Sequence, residues 1–291
     1  MTPAQLGLPG MPEPLFACTP TKLATYSDCP RRYRMTYVDR PAPRRGGAFA
    51  HNSMGAACHN ALKQWWDLPP GRRTPAAGGT LLDGAWTDEG FRDPQQSASW
   101  RGRARRWVAD YTRGLDPRVQ PPGIERQVAA TTGRLAISGR VDRVDERDGE
   151  LVVVDYKTGR RELGTDDARG SQALAFYVLG VRRTMHRPCT QVELHHLPSG
   201  RVASFSHDDA SLARQVRRAE QTAADIITAT DTAAGGGPPD EVFPARPGAQ
   251  CGWCDLRAHC REGAAASRAR EPWSGLPDVD SDQPQDRVQT A

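Results

Sequence analysis

The chain has 291 residues, of which 37% are hydrophobic, with a mean hydropathy of −0.65 and a formal charge of +4. It contains no apolar run of 18 residues to span a membrane, and its N-terminus MTPAQLGLPGMPEPLF lacks the charged and apolar regions of a secretion signal, so no membrane partner and a cytoplasmic location are expected. Residues 271–291 carry a net −4, leaving +8 on the rest, a basic body compatible with a polyanion.

Residues 1–17 are rich in Pro and Gly and are expected to lack fixed structure. The segment Leu23–Arg34 contains Cys29-Pro30-Arg31-Arg32-Tyr33-Arg34. Taken alone, Cys29 reads as a small buried residue. The basic run continues to Arg45, either as a solvated face or as a phosphate-contacting one. Residues 53–67 predict a helix capped by Asn52 or Ser53. Gly55, His59, Leu62 and Trp66 share one stripe of it, so His59 lies on a packing face, where a lone histidine is ordinarily a hydrogen-bonded core residue. The Pro- and Gly-rich stretch 68–93 reads as a loop or insertion. Residues 94–114 resume a helical pattern crowded with Arg101, Arg103, Arg105 and Arg106, either a solvated face or the wall of a nucleic-acid groove.

Two strands are predicted between Ile124 and Asp142, with Glu125 starting the first. The next stretch, Gly139–Gly159, organises the chain. Apolar, β-branched runs flank Arg147-Asp148-Gly149, which reads as a hairpin turn. Asp155 and Lys157 are two apart on the second strand and share a face, and Asp142 on the first strand reaches the same side. Two carboxylates and an ammonium then converge, an arrangement that holds a hard divalent cation and positions water or phosphate beside it. Composition sharpens this reading over a plain surface ion pair. The chain has three lysines, Lys22, Lys63 and Lys157, against 36 arginines, so a compact point charge at 157 is a distinct chemical choice.

A helix is predicted near 170–183, a hairpin over Gln191–Leu197 and Arg201–Phe205, and a helix from Ser211 to about Thr228 capped by Asp208 or Asp209. Residues 233–248 read as a linker to Cys251, Cys254 and Cys260, spaced C-x₂-C-x₅-C. That spacing asks for a fourth ligand. His259 adjoins Cys260, which is awkward, and Cys29 is the other choice. Four thiolates suit Zn²⁺ or a [4Fe–4S] cluster, and chemistry alone leaves both open.

The runs G-R-V-D-R-V-D and V-V-V-D-Y-K-T-G resemble the PD-(D/E)xK nuclease superfamily in its RecB-like exonuclease branch. The resemblance implies that Asp142 and Asp155 bind Mg²⁺ or Mn²⁺ and that Lys157 assists catalysis. G-A-A-C-H-N-A-L resembles the helix of this branch whose histidine, here His59, joins them, with the carbonyl of Tyr156 as a further ligand. Glu125 matches a supporting acid. Gln172 and Tyr177 resemble the Q-x-x-x-Y motif, although Phe176 stands at plus four and Tyr177 at plus five. One cysteine before the core and three after it resemble the iron–sulfur group that includes the AddB nuclease domain and the CRISPR-adaptation nuclease. In that group Cys29, Cys251, Cys254 and Cys260 would hold a [4Fe–4S] cluster as a staple; structural Zn²⁺ is the alternative. Cys18, Cys58 and Cys189 match no ligand.

The expected fold is therefore α/β, a restriction-endonuclease-like core with a central mixed sheet flanked by helices and a cysteine-ligated cluster joining N- and C-terminal parts. Residues 18–262 form the nuclease domain, between unstructured 1–17 and an acidic tail 263–291. The expected activity is metal-dependent hydrolysis of DNA, in exonuclease mode, in repair, recombination or defence. Arg31, Arg32, Arg101 and Arg105 are candidate DNA contacts. A non-catalytic iron–sulfur nucleic-acid-binding protein and an RNA nuclease are the alternatives. The phosphate-binding G-x-x-x-x-G-K-[ST] loop is absent from the sequence, so either the protein acts without ATP or a separate helicase feeds it.

Overall fold

A computed structural model describes residues 14–278. In chain order its elements are β1 (Phe16–Cys18), α1 (Pro20–Asp28), α2 (Pro30–Tyr33) running into a π-helical turn (Arg34–Val38), α3 (Ala50–Asp67), α4 (Pro75–Ala85), α5 (Pro94–Arg113), β2 (Gly123–Thr131), β3 (Leu135–Arg147), β4 (Glu150–Lys157), α6 (Thr165–Gly170), α7 (Gln172–Met185), β5 (Cys189–His196), β6 (Arg201–Ser206), α8 (Asp209–Ala234), α9 (Pro239–Val242) and α10 (Arg261–Ala266).

The six strands form one mixed sheet; β2–β6 fall where strands are expected, and β1 adds a strand at residues expected to be unstructured. β3 is its axis. It pairs antiparallel with β2 along one edge, while its other edge pairs first with β1, in parallel, and then with β4, antiparallel. β5 continues the sheet parallel to β4, and β6 closes it antiparallel to β5. The β3–β4 turn is the predicted one. Asp148 and Gly149 both have positive φ (50° and 84°), which suits the two-residue turn whose twist matches the strands.

Alternation along β4 assigns the two faces. Val152, Val154 and Tyr156 pack under α3, α4 and α5, whereas Leu151 and Val153 pack under α7. A third apolar cluster joins β1, α1, α7, α8 and Phe243. The result is a three-layer α/β/α arrangement, with Leu151–Val154 of β4 buried on both faces.

Several sequence expectations need correction. The stretch 68–93 contains helix α4, started by Pro75 and capped by Thr74, whose side chain accepts from the Ala77 N–H at 3.1 Å. Gly78 and Gly79 are buried contacts there rather than breakers. A Cβ on Gly79 would stand 2.9 Å from Arg105 Nε. Helix α3 begins at Ala50, without a side-chain cap, so His51 lies within it. The 233–248 linker carries the end of α8, then α9, and buries Phe243. At the N-terminus, Phe16 and Ala17 lie in β1. Residues 272–277 dock on the core: Pro272 accepts from the Ala50 N–H, Leu276 from Gln96, and Pro277 from Trp100 Nε1. Residues 263–266 belong to α10, so the expected tail begins as helix, and residues 1–13 and 279–291 lie outside the described residues.

Candidate functional site

β1 and β4 share one edge of β3, at Leu135–Ile137 and Arg143–Arg147 respectively, and part between them. Asp142 stands at this split. Continuing the neighbouring registers by one residue sets it across from Glu125 on β2 and from Asp155 on β4. Three carboxylates thus form a row across three strands. Glu125 and Asp142 line a cleft of about 1530 Å³, whose walls include α3, the start of α1, the loop after β4, and Trp253, whereas Asp155 sits behind them and is not among the lining residues.

Helix α3 brings His59 to the row. Its Nδ1 is 3.3 Å from Asp142 Oδ1, and one ligand atom each from His59, Glu125 and Asp142 fall within 4.8 Å of one another. The other oxygen of Asp142 accepts from the Tyr156 N–H at 2.8 Å. Gly55 lets the helix approach, since a Cβ there would stand 3.2 Å from Thr158 Oγ1. The His59 stripe is therefore the edge of the packing face, turned to the cleft. Glu125 has φ of 45°, in the left-handed region that is uncommon for any residue but glycine, and its carboxylate is held by Arg140 Nε at 2.8 Å.

Lys157 Nζ lies 2.5 Å from Asp155 Oδ2, so the two share a side as alternation requires. This short ion pair buries the carboxylate oxygen against the ammonium. Burial raises the Asp155 pKa, Lys157 opposes this and Asp142 adds to it. Glu125 is raised by burial and by Asp142. For His59, burial acts downward, but the hydrogen bond and charge of Asp142, with Asp155 and Glu125, outweigh it and raise the pKa. Burial and mutual repulsion thus act together on Glu125 and Asp155. The imidazole nitrogen of His59 and the carboxylate oxygens of Glu125 and Asp142 form a donor set that fits a divalent cation such as Mg²⁺ or Mn²⁺.

The Gln172/Tyr177 pair separates. Phe176, at the usual spacing, is buried in the third apolar cluster, while Tyr177 lines the cleft over Gly139, where a Cβ would stand 2.6 Å from its ring. Burial, with Asp155 and Asp142, pushes the Tyr177 hydroxyl up to about 12. Gln172 opens α7 and is not among the lining residues.

The four arginines singled out as DNA contacts are placed elsewhere. Arg31 is 5% exposed and donates to Phe243 O (3.0 Å) and Asp240 O (2.9 Å). Arg32 pairs with Asp255 at 3.1 Å. Arg101 and Arg105 both pair with Asp83, at 3.0 and 3.4 Å. None of the four lines the cleft; Lys63, Arg140, Lys157 and Arg160 do. Lys63 was accessible to sequence reasoning, being four residues after His59 and one of only three lysines.

The cysteines of both chain ends meet. Cys29, Cys251, Cys254 and Cys260 line a second cavity of about 360 Å³, next to Gly263, where a Cβ would stand 3.3 Å from Cys260 Sγ and 3.4 Å from Cys251 Sγ. Among the described residues no three of these sulfurs gather within 4.8 Å, so they do not form a compact single-ion site. Cys18, Cys58 and Cys189 are buried apart from them.

A model of the PD-(D/E)XK nuclease superfamily matches residues 17–261. No curated protein compared with the chain matches it. Among solved structures, a candidate exonuclease from Eubacterium rectale is 14% identical, covering 73% of this chain and 92% of its own, with a TM-score of 0.37. The protein SSO0001 is 13% identical, covering 87% and 90%, with a TM-score of 0.36.

Proposed function

We propose that this chain, which belongs to the PD-(D/E)XK nuclease superfamily, hydrolyses DNA phosphodiesters with the help of Mg²⁺ or Mn²⁺, acting as an exonuclease of RecB-like type. The observation that carries this reading is the placement of Asp142. It lies between Glu125 and Asp155, with His59 at 3.3 Å and the Lys157–Asp155 pair beside it, at a cleft of about 1530 Å³.

His59, Asp142, Asp155 and the carbonyl of Tyr156 would hold the cation, with Glu125 in support. When bound, the cation supplies Lewis acidity that readies water for attack and offsets charge building on the phosphoryl oxygens. The remaining work belongs to the chain. Asp142 is fixed by the Tyr156 N–H, so its lone pairs point in a set direction. Lys157 orients the attacking water or the scissile phosphate. As the water oxygen bonds to phosphorus it gives a proton to solvent, the bond to the leaving sugar oxygen breaks, and that oxygen takes a proton back from solvent. Lys63, Arg140 and Arg160 line the path of the neighbouring phosphates.

Cys29, Cys251, Cys254 and Cys260 would hold a [4Fe–4S] cluster as a staple between the chain ends. Two observations favour it over zinc. Four sulfurs around one zinc at about 2.3 Å would lie within about 4 Å of each other, which these do not. The shared cavity leaves room for a larger group.

End-labelled single- and double-stranded DNA, and RNA of the same sequence, incubated with and without Mn²⁺, test the reading. Metal-dependent shortening of DNA that Asp155→Ala and Lys157→Ala abolish, with circular dichroism unchanged, is the expected result. Full activity in both variants, or cleavage of RNA alone, overturns it.

A further inference from the structure

The second half of G-R-V-D-R-V-D, Arg143 and Asp145, has no part in the scheme above. Arg143 is nonetheless the most deeply buried cation near the site, at 2% exposed. Asp145 takes it in a two-point pair, 2.7 Å from Nε and 2.9 Å from Nη2. Its Nη1 donates to the hydroxyls of both Tyr111 and Tyr156, each at 3.0 Å. The rings of Trp66, Tyr156 and Tyr111 surround the guanidinium at 5.5, 5.6 and 5.9 Å.

The network has a direction. His195 Nε2 lies 2.8 Å from Glu193, a carboxylate that only accepts, so Nε2 carries the hydrogen. With neutral imidazole, Nδ1 accepts from Tyr111 at 2.6 Å, and the Tyr111 oxygen accepts from Arg143. Glu193 is also held by Arg147. At its near end the network terminates on Tyr156, which touches two of the candidate metal ligands. Its backbone N–H holds Asp142 at 2.8 Å, and its ring meets His59 edge to face at 5.8 Å.

We infer that Arg143 is a positioning residue: acting through Tyr156, it sets the relative placement of His59 and Asp142 and thereby the affinity for the divalent cation. A buried guanidinium bound to two hydroxyls and a carboxylate has its rotamer fixed by three separate partners, so it holds the Tyr156 ring in one place. Tyr156 passes this on as a ring contact to one ligand and a hydrogen bond to the other. Groups behind metal ligands typically alter affinity or activity by 10–100-fold. The inference rests on reading His59 and Asp142 as metal ligands.

The test measures Mn²⁺ binding to the full chain by the loss of the free-ion paramagnetic resonance signal, alongside thermal melting. Tyr156→Phe removes only the hydroxyl and keeps the ring, the N–H and the carbonyl. It should weaken Mn²⁺ binding about tenfold, and Arg143→Lys should do so in the same direction. Arg147→Gln breaks the far end of the same network, at Glu193, and an exposed bond to Asp145 (3.1 Å), while both Arg143–Asp145 bonds stay in place; it should lower the melting temperature and leave the Mn²⁺ dissociation constant within about twofold. Tyr156→Phe that melts as a folded protein with unchanged Mn²⁺ affinity overturns the inference. So does an Arg147→Gln effect on affinity equal to that of Tyr156→Phe, since general loosening would then account for both. Wild-type protein that binds no Mn²⁺, or binding that Asp142→Asn does not reduce, refutes the metal-site reading itself and the inference with it.

Discussion

Replacing Arg31 with alanine separates two roles that the sequence leaves mixed. A basic run before the core suggests phosphate contact, whereas the structure turns Arg31 inward. Its donors reach Phe243 O at 3.0 Å and Asp240 O at 2.9 Å, with Glu262 at 3.4 Å, so it ties α2 to α9 and α10. The carboxylates of Asp240 and Glu262 are 66% and 46% exposed, so water screens these ion pairs and they contribute little. The two carbonyl bonds matter more. A hydrogen bond from a charged donor contributes about 1.5–3 kcal/mol, and the variant leaves two acceptors without it. Arg31→Ala is therefore expected to lose about 3–5 kcal/mol, which for a domain of this size lowers the melting temperature by about 6–20 °C. Urea titration reads the loss directly. DNA binding measured well below the transition should keep its dependence on salt. A variant of wild-type stability whose log–log salt slope falls by about 0.7–0.9 would show Arg31 on a phosphate and refute the argument.

Lys63→Ala should do what Arg31→Ala does not, reducing the salt slope by about 0.7–0.9 with little change in melting, while Arg101→Ala changes neither. Anaerobically purified protein should be brown with about four irons per chain; Cys29→Ser should bleach it and lower its stability, and Cys18→Ser, Cys58→Ser and Cys189→Ser should leave the iron in place. Colourless protein with one zinc would replace the iron–sulfur proposal. Stability should fall as the pH drops from about 4.5 towards 2. Burial acts to raise the Glu193 carboxyl, but its bonds to His195 and Arg147 outweigh this and hold it near about 2. A carboxyl lowered in the folded state stabilises above its unfolded pKa and loses that contribution as acid protonates it. Because Arg147 is 44% exposed, the effect is about 2 kcal/mol, and Glu193→Gln should flatten this part of the profile in acid-denaturation curves.

The sequence by itself determined the centre of this protein. A hairpin with Asp-Gly at its turn, alternation along Leu151–Lys157 and a lysine in an arginine-rich chain place Asp142, Asp155 and Lys157 together, because strand period and turn geometry are local properties. It also marked the four cysteines that line one cavity. Tertiary structure decided what depends on which elements pack together. Gly78 and Gly79 read as breakers until α5 lies against them and makes small size the requirement. Tyr177 rather than its neighbour faces the cleft because Phe176 is drawn into the core. Glu125 joins the site through a strand register that no local pattern encodes. The arginines show the limit most plainly. Charge is legible in sequence, but whether a guanidinium meets water, a phosphate or a buried carbonyl depends on what the fold puts beside it. Arg31 and Arg143 are held by partners that the sequence alone does not reveal.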